Sequence, residues 1–160
     1  TNEVTEKWRL RSHLAFLIDN LQYYYQVDVI ESLFTGLLAK IHATRDFQEV
    51  VKAHEHFISS LFHQTFLTIK PVARCLNEIL NLCHQFCMLG KGPHDDEDKQ
   101  MNTLIKNFER QSSLFFKLLS NVRNHQASPH LAQILLRIDF NRYMSTSRGQ
   151  LGMTDVASRT

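Results

Sequence analysis

Asp28-Val29-Ile30-Glu31-Ser32-Leu33-Phe34-Thr35-Gly36-Leu37-Leu38-Ala39-Lys40-Ile41-His42 is the stretch whose reading decides the fold. Its apolar members Val29, Ile30, Leu33, Phe34, Leu37, Leu38 and Ile41 recur at i, i+3 and i+4, the spacing that gathers side chains on one face of a helix. The opposite face is short and polar. Asp28 and Glu31 have capping-box spacing, with an Asp carboxylate in place of the usual Ser or Thr hydroxyl. A helix starting at Asp28 and ending near His42 is therefore expected.

The same period extends in both directions. Upstream, Leu10, Leu14, Leu17, Leu21 and Tyr24 mark a helix over Glu6–Gln26, and Phe16, Ile18 and Tyr25 widen its stripe enough to predict burial on more than one side. Downstream, Asp46 repeats the cap signal before a helix carrying Phe47, Val50, Val51, His54, Phe57, Ile58, Leu61, Phe62 and Phe66. So many phenylalanines on one stripe predict a thick layer of packing there. Pro71 fits the first turn of a fourth helix through Val72, Leu76, Ile79, Leu80, Cys83, Phe86 and Cys87, since its fixed φ and missing amide cost nothing there.

Gly90-Lys91-Gly92-Pro93-His94-Asp95-Asp96-Glu97-Asp98 reads as a linker with its acidic end at the start of the next helix, where the macrodipole favours negative charge. A fifth helix spans about Glu97–Asn124, with Gln111-Ser112-Ser113 marking a close crossing. Ser128-Pro129 caps and opens a sixth through Leu131, Ile134, Leu135 and Ile138. Periodicity stops after Tyr143, and the polar tail 145–160 is expected to be disordered.

Composition agrees with an all-α bundle of about six helices. Leu, Ile, Val and Phe make 49 of the 160 residues, well above the roughly 20% below which chains fail to bury a core. Five glycines and three prolines are too few for the turns of an all-β fold. Eighteen Lys and Arg against sixteen Asp and Glu give a net charge of +2, with no basic stripe, so nucleic acid is not an expected partner. No run reaches the ~18 apolar residues of a membrane span. The three cysteines fall within thirteen residues, which favours a reducing compartment over a disulfide framework.

No catalytic or metal constellation emerges. Cys75, Cys83 and Cys87 share one helix stripe with Ile79, as small apolar fillers do, and structural zinc would bring further ligands from other turns. His54 and His56 lie about 200° apart around a helix and cannot share a metal. Gly90-Lys91-Gly92-Pro93 lacks the spacing of a phosphate loop, and no nucleophile elbow is present. Tyr23-Tyr24-Tyr25 offers rigid area with polar handles and is a candidate interface, although at least one of three consecutive helical residues must face inward. Arg137-Ile138-Asp139-Phe140-Asn141-Arg142-Tyr143 gathers charge and aromatics at a helix end, either as a local Asp139–Arg142 ion pair or as a partner-binding cluster.

Longer words then become familiar. Trp8-Arg9-Leu10-Arg11, Phe16-Leu17-Ile18-Asp19-Asn20-Leu21-Gln22-Tyr23-Tyr24 and Gln26-Val27-Asp28-Val29-Ile30-Glu31 resemble a stretch of the gamma-tubulin complex component family. The resemblance continues in order through Thr44-Arg45-Asp46-Phe47, Ala53-His54, Lys70-Pro71, Cys75-Leu76-Asn77-Glu78-Ile79-Leu80, Gln111-Ser112-Ser113-Leu114 and Leu136-Arg137-Ile138-Asp139-Phe140-Asn141. It implies that residues 1–144 are the distal part of a helical domain that binds gamma-tubulin, followed by a flexible tail over 145–160.

It further implies a non-enzymatic scaffold for microtubule nucleation, partnered with gamma-tubulin and other complex components. The expected location is the cytoplasm and cytoskeleton, at the microtubule organising centre, the centrosome and spindle poles. No cofactor is expected of this chain, since any GTP would belong to gamma-tubulin. The gamma-tubulin contact is assigned, on the resemblance, to Arg137, Asp139, Asn141, Arg142 and Tyr143, with Arg9 and Arg11 as neighbours. The alternative is a segment that supports a binding surface lying upstream.

Overall fold

The computed structural model describes residues 2–89, 97–125 and 129–138. All regular elements among them are helical: α1 (Asn2–Tyr23), a π-helical segment (Tyr24–Glu31), α2 (Ser32–Ala43), α3 (Phe47–Gln64), α4 (Lys70–Met88), α5 (Glu97–His125) and α6 (Pro129–Ile138). The linker at 90–96, the Ser128 cap, Asp139 to Tyr143 and the tail 145–160 lie outside the described residues.

The expected break at Asp28 does not occur. Tyr23, Glu31 and Ser32 all keep right-handed helical backbone angles, so α1, the π segment and α2 form one uninterrupted rod. Asp28 sits inside the π turns, and its carboxylate is engaged by Arg137 rather than by the amides of a new helix start. A box of two side chains three residues apart occurs equally well within a helix, which is why spacing alone misplaces this boundary.

The other starts follow their chemistry. Asp46 is extended and accepts a 2.9 Å hydrogen bond from the Gln48 amide, while Thr44 Oγ1 accepts from the Asp46 amide at 3.1 Å. Glu49 turns outward to Lys52, 2.9 Å away. Pro71 stands in the first turn of α4.

A continuous apolar core joins α1, the π segment, α4, α5 and α6. Leu10, Leu14, Leu17 and Leu21 line it from α1, Val72, Cys75, Ile79 and Leu82 from α4, Met101, Leu104, Phe108, Phe115 and Leu119 from α5, and Ile134, Leu135 and Ile138 from α6. Burial of α1 is one-sided at Phe16, which stays exposed. Among the described residues the most extensive packing is that of α4 on α5. Ser112 is buried there and the Cys75 thiol donates to the Gln111 carbonyl at 3.3 Å, as the small residues at Gln111-Ser112-Ser113 predicted. Burial pushes the Cys75 thiol up to about 11, which keeps it protonated and unreactive at neutral pH. Lys7 and Glu97, 2.6 Å apart, tie α1 to α5 at the surface, a contact worth at most about 1 kcal/mol.

The α2–α3 hairpin stands apart from this core. Leu37 and Ala53 are buried between its two helices but do not belong to the core of the bundle. The thick packing expected of α3 is absent, because two helices have only one seam between them. Phe47 is 74% exposed and Phe62 51%, and His54 is exposed as well. The hairpin is an arm, rooted where the π segment meets the α3–α4 turn.

That root holds Phe66, 1% exposed with φ of +64°, a left-handed conformation that costs a non-glycine residue roughly 1–2 kcal/mol. Its ring offsets the cost by filling the core against Tyr24, stacked at 5.7 Å with planes 9° apart.

Candidate functional site

Among the described residues, Arg137 lies apart from Arg9 and Arg11. Arg137, in the last turn of α6, reaches across 109 positions of sequence to grip Asp28 with both prongs of its guanidinium, Nε to Oδ2 at 2.8 Å and Nη2 to Oδ1 at 3.1 Å. The same group lies over the Tyr23 ring, 4.2 Å from its centroid. Hydrogen bonding to Asp28 raises its pKa, so the charge is permanent. Arg137 therefore locks α6 onto the rod. A cation there also suits the carbonyl end of α6.

Arg9 and Arg11 point about 200° apart around α1. Arg9 lines a small groove of about 90 Å³ between α1 and α5, shared with Glu6, His13, Phe108 and Glu109, where burial and the Arg9 charge lower the His13 pKa. Arg11 instead lies over Trp8, 4.9 Å from the ring centroid. Twelve helical residues, roughly 18 Å, separate Arg11 from Tyr23 and the Arg137 pair. Asp139, Asn141, Arg142 and Tyr143 fall outside the described residues.

Removing the Arg137 guanidinium should leave the Asp28 carboxylate without its partner. Arg137→Ala is expected to lower unfolding free energy by about 1–3 kcal/mol, less than for a fully buried pair because both side chains keep some solvent contact. A double-mutant cycle with Asp28→Ala, measured by urea unfolding, should return a coupling of about 1 kcal/mol or more. Strict additivity of the two single changes would show that the pair stabilises nothing.

The three tyrosines divide between separate tasks. Tyr24 is fully buried and donates to the Gln64 carbonyl at 3.0 Å. Tyr25 donates to the Thr65 carbonyl at 3.3 Å. Burial holds both phenols protonated, Tyr25 up to about 12. Only Tyr23 remains substantially exposed, beneath Arg137. An α-helix would place Tyr24 and Tyr25 about 100° apart; the wider π turns bring both hydroxyls to adjacent carbonyls of the α3–α4 turn.

Among the described residues the arm carries several exposed large apolar side chains. Ile30, Phe34 and Leu38 are spaced four apart on the rod and are 47%, 48% and 39% exposed. On α3, Phe47, Ile58 and Phe62 fall within about 60° of one another around the helix and are also exposed. By helical spacing Phe34 and Leu38 lie about 60–100° around the rod from Leu37, and Phe47, Ile58 and Phe62 about 120–180° around α3 from Ala53, so the two stripes flank the side on which Phe34 meets Phe57 edge-on at 6.3 Å, with Phe62 turned away from the seam. Six exposed large apolar side chains on a two-helix arm exceed the scatter normal for a protein exterior. At the arm's tip an open cavity of about 400 Å³ is lined by Lys40, Thr44, Glu49 and Lys52.

Helical periodicity had identified every residue of this ridge. It could not say which stripe residues are covered, because the number of neighbouring helices is a tertiary property. Among the described residues no group of three or more His, Cys, Asp or Glu could hold a metal ion, and no helix is long and apolar enough to cross a membrane. The ridge can bury apolar surface against a partner; it offers no acid, base or nucleophile for chemistry.

Residues 1–144 match the family model described as gamma tubulin complex component C-terminal. Gamma-tubulin complex component 4 of Homo sapiens is 57% identical over 91% of this chain and 22% of its own length. The protein of the same name from Arabidopsis thaliana is 39% identical over 91% of this chain and 20% of its own. Spindle pole body component alp4 of Schizosaccharomyces pombe is 21% identical over 80% of this chain and 18% of its own. The chain thus spans about a fifth of the length of these relatives.

Proposed function

The chain belongs to the gamma-tubulin complex component family through that family's C-terminal region, and from this premise we propose that it binds gamma-tubulin as a non-enzymatic scaffold in microtubule nucleation. The observation that carries the proposal beyond membership is the uncovered ridge of Ile30, Phe34, Leu38, Phe47, Ile58 and Phe62. A protein surface of this kind gains its affinity from apolar and aromatic anchors ringed by polar side chains. The ridge supplies such anchors, and the exposed polar residues Glu31, His42, His54 and Glu55 lie on the same rod and hairpin.

Arg9 and Arg11, exposed on the outside of α1, are proposed as peripheral contacts that steer approach rather than anchor it. Asp139, Asn141, Arg142 and Tyr143, following α6, remain proposed contacts on the strength of the family resemblance. Arg137 acts through its grip on Asp28, holding in place the helix from which those four residues continue.

Binding of this kind would accelerate microtubule growth without bond-making. Several gamma-tubulin molecules fixed side by side by neighbouring components lose their translational and rotational freedom in advance, and incoming tubulin then meets a preformed row. The partners implied are gamma-tubulin and other components of the complex, and the location implied is the cytoskeleton at microtubule organising centres, including centrosomes and spindle poles.

A second reading is support of a binding surface located upstream, and the engagement of Arg137 with Asp28 favours it. Titrating purified gamma-tubulin with the 160-residue chain separates the two. Saturable one-to-one binding is expected. No binding by a chain that is helical and monomeric would overturn the proposal in favour of the supporting role.

A further inference from the structure

We infer that the π-helical segment and the turn at Phe66 form a hinge that sets the direction of the α2–α3 arm, with Tyr24 and Tyr25 as the pins that hold it. The chain passes between the core and the arm twice. One passage is the segment Tyr24–Glu31, the only π-helical stretch among the described residues. The other is the turn at 65–69, which contains the only positive φ on a non-glycine residue among the described residues, at Phe66. Both departures from regular backbone fall at the same level of the molecule, and local backbone strain persists where surrounding contacts over-determine it.

The contacts across this level, among the described residues, are specific. Tyr24 and Tyr25 reach consecutive carbonyls, Gln64 at 3.0 Å and Thr65 at 3.3 Å, and Tyr24 stacks on Phe66. Leu33 and Leu61 pack on the rim of the core. From the core side, Arg137 of α6 holds Asp28 within the π segment. Beyond these, among the described residues, α2 and α3 pack chiefly on each other.

The π turns provide the mechanism. Their hydrogen bonds run from i to i+5, and at the distal seam the Ser32 amide instead reaches back only three residues, to the Val29 carbonyl. Conversion of π bonds to the i to i+4 pattern winds the segment more tightly and turns everything beyond it about the rod axis. The ridge would turn with it. A tilt of only about 20° at the hinge moves the tip of the roughly 18 Å α2 by about 6 Å. The consequence for presenting the ridge rests on the gamma-tubulin reading; the hinge itself does not.

The test uses nitroxides attached bioorthogonally at Arg45, on the tip, and Asn102, on α5, both exposed, in the 160-residue chain with its three thiols untouched. Pulsed electron paramagnetic resonance then gives the distance distribution between arm and core. Tyr24→Phe with Tyr25→Phe removes both hydroxyl bonds and keeps the rings, and Phe66→Gly relieves the positive φ and removes the stack. The paired tyrosine change is expected to broaden or shift the distribution by about 5 Å or more while circular dichroism stays unchanged. A distribution identical to the parent's, at unchanged helicity, would overturn the hinge. Should Phe66→Gly lose structure, Tyr25→Phe alone, which removes one 3.3 Å bond, serves as the second variant with the same two outcomes. No gamma-tubulin is present, so a failed titration and a failed hinge are separate results.

Discussion

Replacing Phe115 with alanine is expected to lower the melting temperature by roughly 10 °C or more, corresponding to about 3–5 kcal/mol of lost stability. Phe115 is fully buried on α5, in the same core as Ile79, Leu119 and Ile134, which are also fully buried. Truncation removes most of a large apolar side chain and leaves a cavity that helices fixed on several sides fill only in part. The total stability of a domain this size is about 5–15 kcal/mol, so the loss is a large share of it. Leu114→Ala, one residue earlier but 42% exposed, serves as the control and should cost under about 1 kcal/mol. Thermal unfolding followed by circular dichroism checks both. Equal effects at the two positions would mean that α5 does not face the core as described.

Phe47→Glu combined with Phe62→Glu should weaken gamma-tubulin binding by about 100-fold or more while leaving the fold intact. Each phenylalanine is more than half exposed in the free chain, so neither substitution removes a buried group or creates a cavity. At an interface, a desolvated aromatic anchor is worth about 2 kcal/mol or more, roughly 30-fold each, and the two losses need not add fully. Introduced carboxylates would also have to be desolvated against an apolar partner. Arg9→Glu and Arg11→Glu should act differently, changing affinity by less than about 10-fold with a marked dependence on salt. Titration of gamma-tubulin with each folded variant, at two ionic strengths, distinguishes the patterns. Unchanged affinity in the double phenylalanine variant would remove the ridge from the interface.

The apolar period placed the helices well because the 3.6-residue repeat is a local property of the chain. Asp46 and Pro71 marked true helix starts, since a free carboxylate meets open amides at the first and a missing amide is harmless at the second. Asp28 carried the same local signal and was misread. Its carboxylate has a partner 109 positions away, and no window of sequence contains both. The tyrosines show the same limit. Three in a row required one to face inward, but the π turns that bring Tyr24 and Tyr25 to neighbouring carbonyls depend on where the α3–α4 turn lies.

The candidate site was legible in part. Ile30, Phe34, Leu38, Phe47, Ile58 and Phe62 were all visible as stripe residues, yet the sequence reading assigned them to packing. A stripe becomes core or surface according to how many helices surround it, and among the described residues α2 and α3 pack chiefly on each other. The arginines were legible as charges but not as partners. Arg137 is paired with Asp28, while Arg9 and Arg11 face different sides of α1.

What the sequence by itself determined is therefore the all-helical class, most helix limits and the family, because each rests on residues close together in the chain or on long words that chance does not reproduce. Only the tertiary structure decided that one rod runs through Asp28, that α6 is fastened by Arg137, and that the α2–α3 arm stands clear of the core with an apolar side open. Those outcomes come from contacts between distant segments, whose free energies appear only once the helices have been brought together.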